Sequence, residues 1–338
     1  IVTLDELREL LEGVERPRAY WGFEISGPIH LGTGLMCGNK IRDLVDAGFH
    51  LIIFLADVHS MINRKFGGDL EKIRRAGEYV KHCFTALGLG PDKVEFRWAS
   101  ELADSYRYWD RVLQVARNAS IQRVTRALPI MGRSMSPGEV ETAFLFYPCM
   151  QVADIFELGL DVACAGIDQR KAHMLARDVA EKTRLKKPIC IHTPLLMGLS
   201  KAEGRMDLDE DPRLSQEISL KMSKSIPKGA IYIHDEPEEI RAKIRAAYCP
   251  PREVEANPII QIARYLILDR GKTLHIDRSS KYGGPITLYN YGELAEIYGK
   301  GDLHPLDLKN GVAEALIEIL LSLIHISEPT RLGMISYA

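Results

Sequence analysis

The sequence predicts an α/β fold, in which a doubly wound parallel sheet is followed by a mainly helical C-terminal domain. Two observations support this prediction. Short apolar runs of strand length alternate with helical patterns through residues 18–192, as they do in successive βαβ units. Beyond residue 225, helical patterns predominate.

The predicted elements follow this alternation along the chain. Strands are expected at 18–24, 50–57, 94–98, 162–165 and 189–192. Helices are expected at 31–47, at 70–87, from the end of the third strand to residue 128, at 143–157 and at 169–182. Such sheets bind ligands at the carboxyl ends of their strands, where His30, Asp57 and Gly166 fall. The polar stretch 200–216 predicts a flexible surface insertion. Further helices are expected at 237–247, 258–268, 291–298 and 305–320.

The composition of the 338 residues, 46% hydrophobic and 27% charged, predicts a soluble globular protein of two domains. No apolar run is long enough to span a membrane, and no charged-then-apolar leader precedes the first strand. Because the chain begins with Ile1 and not with Met, we expect N-terminal residues to be missing. The net charge of −2 means that contact with nucleic acid must rest on local patches. Six scattered cysteines without a CxxC pair favour reduced thiols in a cytoplasmic protein and argue against a zinc site.

Two motifs predict chemistry on a nucleoside triphosphate. Pro28-Ile29-His30-Leu31-Gly32 follows a strand and opens a helix, where backbone NH groups and the positive helix end favour an anion. The segment Lys221-Met222-Ser223-Lys224-Ser225 offers two ammonium groups and two hydroxyls, which suits a mobile loop that clamps phosphates. Either motif alone has an ordinary explanation, as a strand-to-helix turn or as a solvated loop. Their occurrence together favours adenylate chemistry.

A third group of residues predicts a pocket for a polar ligand. Tyr147, Gln151 and Asp154 lie at i, i+4 and i+7 of an otherwise apolar predicted helix, so they project from one face. An internal hydrogen-bond network would explain one such residue, but three in register, with a carboxylate that is costly to bury, favour a pocket. Asp168 and Gln169 stand at a strand-to-helix junction, where helix capping and a role in a site are equally good explanations.

With these motifs the chain resembles the class I aminoacyl-tRNA synthetases, whose two signatures take these forms in this order. The runs Tyr147-Pro148-Cys149-Met150-Gln151-Val152-Ala153-Asp154 and Gly166-Ile167-Asp168-Gln169-Arg170-Lys171 resemble the archaeal and eukaryotic type of tyrosyl-tRNA synthetase, over residues 18–320. The resemblance implies a Rossmann-like catalytic domain at 1–215 that binds nucleotide and tyrosine, with a helical insertion around 100–140. It implies that 216–320 contains the signature loop and a helical anticodon-binding domain.

The implied activity is ATP-dependent attachment of L-tyrosine to tRNA(Tyr) through tyrosyl-adenylate, by a cytoplasmic homodimer, with ATP as substrate and Mg²⁺ on its phosphates. A tryptophanyl-tRNA synthetase is the nearest alternative, and Asp154 paired with Tyr20 favours a phenol over an indole. A catalytically silent RNA-binding relative is a second alternative, against which the intact loop signature argues. A nucleotidyltransferase without tRNA is disfavoured by the helical C-terminal domain.

The resemblance also implies roles for single residues. The residues expected to bind tyrosine are Tyr20, Tyr147, Gln151, Asp154 and Gln169. Those expected to bind ATP are Gly22, His30, Gly32, Gly166, Asp168 and Lys224. Those expected to stabilise the transition state are His30, Thr33, Lys221 and Lys224, and no metal ligand is expected from the protein. Thr33 stands where the family usually has a second histidine, so stabilisation by an uncharged hydroxyl should be weaker there.

Two regions are candidates for RNA contact. Residues 111–138 contain no acidic residue but carry Arg111, Arg117, Arg123, Arg126 and Arg133, which fits a phosphate-contacting face as well as a solvated helix surface. By resemblance, Tyr282, His304 and Asp307 read the anticodon, with Tyr282 stacking on a base. Residues 321–338 depart from the family and resemble translated adapter sequence, so we predict that this tail is not native.

Overall fold

The structure is a computed structural model that describes residues 1–132, 140–201, 211–224 and 226–324. The strands are β1 (Arg18–Phe23), β2 (His50–Leu55), β3 (Glu95–Trp98), β4 (Val162–Gly166), β5 (Ile189–Thr193), β6 (Leu274–Ile276) and β7 (Ile286–Leu288). The α-helices are α1 (Leu4–Gly13), α2 (Cys37–Asp46), α3 (Asp57–Ile62), α4 (Leu70–Ala86), α5 (Ala99–Ala103), α6 (Tyr106–Asn118), α7 (Ile121–Ala127), α8 (Thr142–Glu157), α9 (Arg170–Thr183), α10 (Pro212–Leu220), α11 (Pro237–Ala246), α12 (Pro258–Ile262), α13 (Tyr291–Lys300) and α14 (Pro305–Ile324).

The first five strands form one parallel sheet in the order β3-β2-β1-β4-β5. From β1 the chain builds outward through β2 to β3, and it then returns to the other side of β1 with β4 and β5. The strand order therefore reverses between β1 and β4, and ligands of doubly wound sheets bind at such a point. The predicted doubly wound parallel sheet is confirmed.

Alternation along the strands explains why helices cover both faces of the sheet. In β2, Leu51 and Ile53 belong to a core that also contains Phe84 of α4 and much of the C-terminal region. Ile52 and Phe54, which point the other way, belong to a second core with side chains of α6, α8 and α9. Each face is thus buried by its own layer of helices.

Several predicted elements differ from the structure. The helix expected at 258–268 is an α-helix only over Pro258–Ile262 and continues as a π-helix over Ala263–Ile267. The helix expected at 31–47 begins with a π-helix at Gly32–Met36, which Leu31 separates from His30. The insertion expected at 200–216 is wrong at its end, because Pro212 starts α10 and Asp211 caps it by accepting from the Arg213 amide; residues 202–210 lie outside the described residues. The C-terminal region contains an antiparallel pair, β6 and β7, among its helices.

The division of the chain at 215–216 falls inside α10, and the two-domain division stays a prediction. Among the residues that the structure describes, no helix is long and apolar enough to cross a membrane.

The C-terminal region holds the segment that bears the first signature. Leu31 donates its amide proton to the carbonyl of Ile231 at 2.9 Å, and Ile233 donates to Ile29 at 3.0 Å. His30 and Tyr232 form an isolated antiparallel bridge between these bonds. Lys224 of the second signature donates to the Ser26 hydroxyl and to the Gly27 carbonyl, just before the first signature. The two signatures, nearly two hundred residues apart in sequence, thus lie side by side.

Candidate active site

A cavity of about 500 Å³ lies beyond the carboxyl ends of β1 and β4, where the strand order reverses. This volume lies within the range of ligand pockets. The predicted catalytic, tyrosine-binding and ATP-binding residues all line it: Tyr20, Gly22, His30, Gly32, Thr33, Tyr147, Gln151, Asp154, Gly166, Asp168, Gln169, Lys221 and Lys224. The cavity has an end near α8 and another near the Lys221–Lys224 loop.

Asp154 forms the floor of the α8 end. Its carboxylate is 1% exposed and accepts a hydrogen bond from the hydroxyl of Tyr108 on α6, at 2.8 Å. The Nε2 atom of His59 lies 3.2 Å from the other carboxylate oxygen. Burial, and then the charge of Asp154, raise the pKa of Tyr20 well above its ordinary value, so Tyr20 is a neutral phenol here. A phenol, a carboxylate and an imidazole thus converge on one buried spot.

The side wall of this end is polar. Tyr147 donates to Glu24 Oε1 at 3.3 Å, and Glu24 also lies 3.2 Å from Lys65 Nζ. Gln151 donates to Gln169 at 3.4 Å, and Gln169 in turn donates to a backbone carbonyl at 3.0 Å. The buried Oε1 atom of Gln151 has no hydrogen-bond partner among the described residues. Buried polar atoms are normally paired, so an unpaired one facing a cavity fits a polar ligand.

The first signature provides the centre of the cavity. Burial, and then the positive charges of Lys224 and Lys221, lower the pKa of His30 to about 3, so its ring is neutral. The Thr33 amide donates to His30 Nδ1 at 3.4 Å, which leaves the proton on Nε2, 3.3 Å from the Thr33 hydroxyl oxygen. Nε2 therefore donates to Thr33, and the hydroxyl proton of Thr33 remains available to a ligand.

The second signature closes the far end. Lys221 Nζ lies 2.7 Å from Asp168, and Lys224 donates to the Ser26 hydroxyl and to the Gly27 carbonyl, both at 3.2 Å. Burial, together with the charge of Lys65 and against that of Glu24, lowers the pKa of Lys224 to about 8. Ser223 also lines the cavity, whereas Ser225 lies outside the described residues. Two buried or half-buried ammonium groups at one end of a cavity suit a polyanion.

Gly166 lets the backbone approach the ligand space closely. A Cβ atom there would lie 2.6 Å from Asp168 Oδ1 and 2.9 Å from Leu195 Cδ2. Any larger residue would displace Asp168, and with it the partner of Lys221.

Comparisons with known proteins agree with this geometry. The family described as tRNA synthetases class I (W and Y) matches residues 13–321. A tyrosine-tRNA ligase of Aeropyrum pernix is 48% identical over 95% of this chain and 88% of its own length, and that of Thermococcus kodakarensis is 46% identical over 95% and 89%. The crystal structure of tyrosyl-tRNA synthetase complexed with L-tyrosine from Pyrococcus horikoshii has a TM-score of 0.89 at 42% identity, covering 98% of this chain and 93% of that one.

The chain belongs to the class I tRNA synthetases, and within them to the tyrosine-tRNA ligases. The predicted family is thereby confirmed, and the tryptophanyl alternative is not favoured.

In this synthetase, the residues predicted to read the anticodon are far from the signatures in sequence and do not line the cavity. Tyr282 is 61% exposed on the loop between β6 and β7, and His304 is exposed just before α14, which carries Asp307. Arg278 joins the two segments, because it donates to the Gly284 carbonyl at 2.6 Å and to the Asp302 carbonyl at 2.8 Å. One exposed surface thus contains both segments.

One expectation fails in the structure, and contact of the arginine-rich region with RNA stays a prediction. Asp57 does follow β2, but it is fully buried, accepts from the Ser100 hydroxyl at 2.6 Å and does not line the cavity. The arginine-rich region is not free of acidic partners, because Arg111 pairs with Glu157 at 2.9 Å and Arg123 with Asp178 at 2.8 Å. The acidic residues come from later helices, so the sequence of the region itself does not reveal them; Arg133 lies outside the described residues.

Sequence reasoning also missed functional candidates that the cavity contains or contacts: Glu24, His59, Lys65 and Tyr108. For Glu24, its position one residue after β1 was an available signal. Tyr108 offered none, because it reaches the site only through the packing of α6 on α8.

Proposed function

We propose that this tyrosine-tRNA ligase activates L-tyrosine with ATP and transfers it to tRNA(Tyr), using the residues of this one cavity. The observation that carries the proposal is the combination of two unlike ends. A buried carboxylate with neutral phenols suits the side chain of tyrosine, and two lysines beside a neutral histidine suit a triphosphate. The carboxylate of bound tyrosine would lie between them.

In this proposal Tyr20 and Asp154 hold the phenol hydroxyl of the substrate. Asp154 accepts from Tyr108 through Oδ1, and lone pairs remain on its carboxyl oxygens for a further donor. Tyr147, Gln151 and Gln169 hold the ammonium and orient the carboxylate, and Glu24 adds a negative charge on the same wall.

Rejection of phenylalanine follows from the same arrangement. Phenylalanine has no hydroxyl group, so its binding would leave a lone pair of the buried Asp154 carboxylate without a donor. The cost of removing that carboxylate from water would then be uncompensated. Tyrosyl-tRNA synthetases are the standard example of a site that rejects an analogue because it lacks a hydroxyl group. Discrimination should therefore depend on Asp154 and on the groups that orient it.

The first step joins a carboxylate oxygen of tyrosine to the α-phosphorus of ATP and breaks the bond to the β-phosphate oxygen, which leaves as pyrophosphate. Catalysis then consists of positioning and of charge stabilisation. His30 and the free Thr33 proton act from one side, and Lys221 and Lys224 act from the loop. Gly22, Gly32 and Gly166 give room to the nucleotide, and Asp168 meets its ribose. In the second step a terminal ribose hydroxyl of tRNA attacks the adenylate carbonyl and AMP leaves.

Mg²⁺ would be held by the phosphates of ATP and would offset part of their negative charge. Magnesium commonly binds through substrate phosphates and keeps several waters, so it needs few protein ligands. Among the described residues no group of three His, Cys, Asp or Glu side chains is arranged to hold a metal. Asp168, the acidic residue beside Lys221, is held by that lysine.

ATP–pyrophosphate exchange with each standard amino acid separately tests the proposal. Exchange with tyrosine alone is expected. Exchange with tryptophan instead would contradict the tyrosine pocket, and a folded sample that binds ATP but shows no exchange would favour a silent RNA-binding relative.

Recognition of tRNA is proposed to use the C-terminal region at 216–320, with Tyr282 stacking on an anticodon base and His304 and Asp307 at its edge. The exposure of Tyr282 and the Arg278 bridge between the two segments support this assignment. The catalytic part would be 1–215, and the tail from 321 would be dispensable.

A homodimer is proposed through the outer face of α6. Tyr106, Trp109 and Leu113 lie at i, i+3 and i+7 on this helix and are 85%, 38% and 55% exposed, and Ile121 on α7 is 77% exposed. Exposed apolar side chains in one stripe mark interaction surfaces.

The free state of all six cysteines supports placing this enzyme in the cytoplasm.

A further inference from the structure

We infer that Gln261, on α12 of the C-terminal region, is a positioning residue for the Lys221–Lys224 loop. The inference rests on the proposed function of that loop. It assigns to one side chain the task of holding the extended segment that pairs with the loop.

The loop is aligned by a short extended segment that follows β5. Met222 donates its amide proton to the Leu196 carbonyl at 2.6 Å, and Gly198 donates to the Leu220 carbonyl at 2.8 Å. Met197 and Lys221 are the bridge partners between these two bonds. The position of Lys221 opposite Asp168 therefore depends on where Met197 lies.

The backbone amide of Met197 points to the other side of this segment, because NH groups alternate along an extended chain. There it donates to the side-chain oxygen Oε1 of Gln261 at 3.0 Å. Met197 is 7% exposed, so loss of this acceptor would leave a buried NH group unpaired. The segment would have to shift, and Lys221 and Met222 would shift with it.

Gln261 is itself held firmly. Asn257, which is fully buried, caps α12 by accepting from the amides of Ile259 and Ile260 at 3.1 and 3.3 Å. The residues next to Gln261 in the sequence, Ile259, Ile260 and Ile262, are buried. The helix α12 packs against α14. A rigid helix of the C-terminal region thus fixes the edge of the active-site loop.

The residues at the tyrosine end are held by other contacts. Tyr147 donates to Glu24, Gln151 donates to Gln169, and Gln169 donates to the carbonyl of Ile130. These partners lie outside the 195–199 segment that Gln261 holds. A change at Gln261 should therefore alter adenylation without altering tyrosine binding.

The test compares Gln261→Met, which keeps the length but removes the acceptor, with Gln261→Glu, which keeps an acceptor oxygen. Single-turnover adenylation at saturating ATP should fall about fivefold in Gln261→Met, the typical effect of one hydrogen bond, with an unchanged Kd for tyrosine. Gln261→Glu should retain the wild-type rate. The matched control Gln122→Met, at an exposed position on α7, should be unaffected.

Thermal unfolding measured in parallel separates loss of fold from loss of rate. If Gln261→Met does not fold, Gln261→Asn, whose shorter amide falls short of Met197, takes its place. A wild-type rate in the variant without the acceptor, an equally slow Gln261→Glu, or a tyrosine Kd weakened as much as the rate would each overturn the inference.

A double mutant with Lys224→Ala completes the test. If Gln261 acts through the loop, its effect on the rate should shrink when Lys224 is already absent, whereas full additivity contradicts the inference. Lys224→Ala at the wild-type rate would instead contradict the proposed function. A slow Lys224→Ala beside a fast Gln261→Met would overturn only the role of Gln261.

Discussion

The hydroxyl of Tyr108 donates a hydrogen bond to the carboxylate of Asp154 at 2.8 Å, between α6 and α8, and both residues are 1% exposed. This contact fixes the carboxylate at the floor of the cavity. The phenol of Tyr108 stays protonated, because burial and then the charge of Asp154 raise its pKa. Tyr108 therefore donates a hydrogen bond to Asp154 and does not compete with Asp154 for the substrate.

Replacement of Tyr108 by Phe should weaken discrimination between tyrosine and phenylalanine. Without this donor the buried carboxylate loses a partner and its fixed orientation, so the ratio of kcat/KM values in pyrophosphate exchange should fall by about tenfold. The control is Tyr289→Phe, the same change at a side chain that is 65% exposed and lies outside the cavity. An unchanged ratio in Tyr108→Phe would mean that Asp154 is oriented by other groups.

The pair also shows which parts of the site could be predicted from sequence. Tyr147, Gln151 and Asp154 share a face of α8, and helical periodicity predicts that face directly. Tyr108 is 46 residues away on another helix, and its position depends on how α6 packs against α8. No local pattern contains that information.

The same distinction applies to the fold. The central strand β2 is a continuous apolar run, because both of its faces are buried, and such a run is visible in the sequence. The edge strand β3 alternates charged and aromatic residues and is only partly buried. The strands β6 and β7 have three residues each and pair only with one another, so the helical context concealed them. For α10 a signal was available, since Asp211 followed by Pro212 is a typical helix start.

Thr33 should contribute through its hydroxyl. His30 Nε2 donates to the Thr33 oxygen, which leaves the threonine proton for a phosphate oxygen. Thr33→Val, which removes the hydroxyl at nearly constant size, should lower the adenylation rate by about tenfold with an unchanged tyrosine Kd. Thr33→Ser keeps the hydroxyl and should keep most of the rate. Equal rates for the valine and serine variants would exclude a role for this proton.

The N-terminal helix should be held in a pH-dependent manner. The hydrogen bonds from Arg177 lower the pKa of Glu6 from 4.5 to about 2, with Lys187 adding to the effect. A depressed pKa in the folded state means that the ion pair stabilises the protein above the ordinary pKa and is lost as the pH falls toward 2.

Glu6→Gln should therefore lower the free energy of unfolding by about 1 kcal/mol at neutral pH, a modest value because Glu6 is partly screened by solvent. Chemical denaturation at several pH values would show the difference shrinking as the pH falls from 4.5 toward about 2. Glu9→Gln, on the exposed side of the same helix, serves as the control. A difference that stays constant across this range would rule out the ion pair as its source.

The outer face of α6 should control the association state. Leu113 is 55% exposed in the stripe with Tyr106 and Trp109, so Leu113→Glu should place a charge in the dimer interface and yield monomers in sedimentation equilibrium. Leu4→Glu, at a side chain that is 49% exposed on α1, should leave the mass unchanged. Wild-type protein that sediments as a monomer would remove the basis of the homodimer.

Lys224 should impose an alkaline limit on adenylation. Burial and the charge of Lys65 lower its pKa to about 8, so the ammonium is lost as the pH rises through that value in the free enzyme. If this charge stabilises the transition state, kcat/KM for ATP should fall above pH 8 while the Kd for tyrosine stays constant.

Two variants identify the group that is responsible. Lys224→Arg should remove the limit, because a guanidinium stays charged throughout the range. Lys65→Met should move the limit to higher pH, since it deletes a neighbouring positive charge that lowers the pKa of Lys224. A limit that remains near pH 8 in Lys224→Arg must belong to another group, and the loop lysine would then act by its position and not by a proton that it can lose.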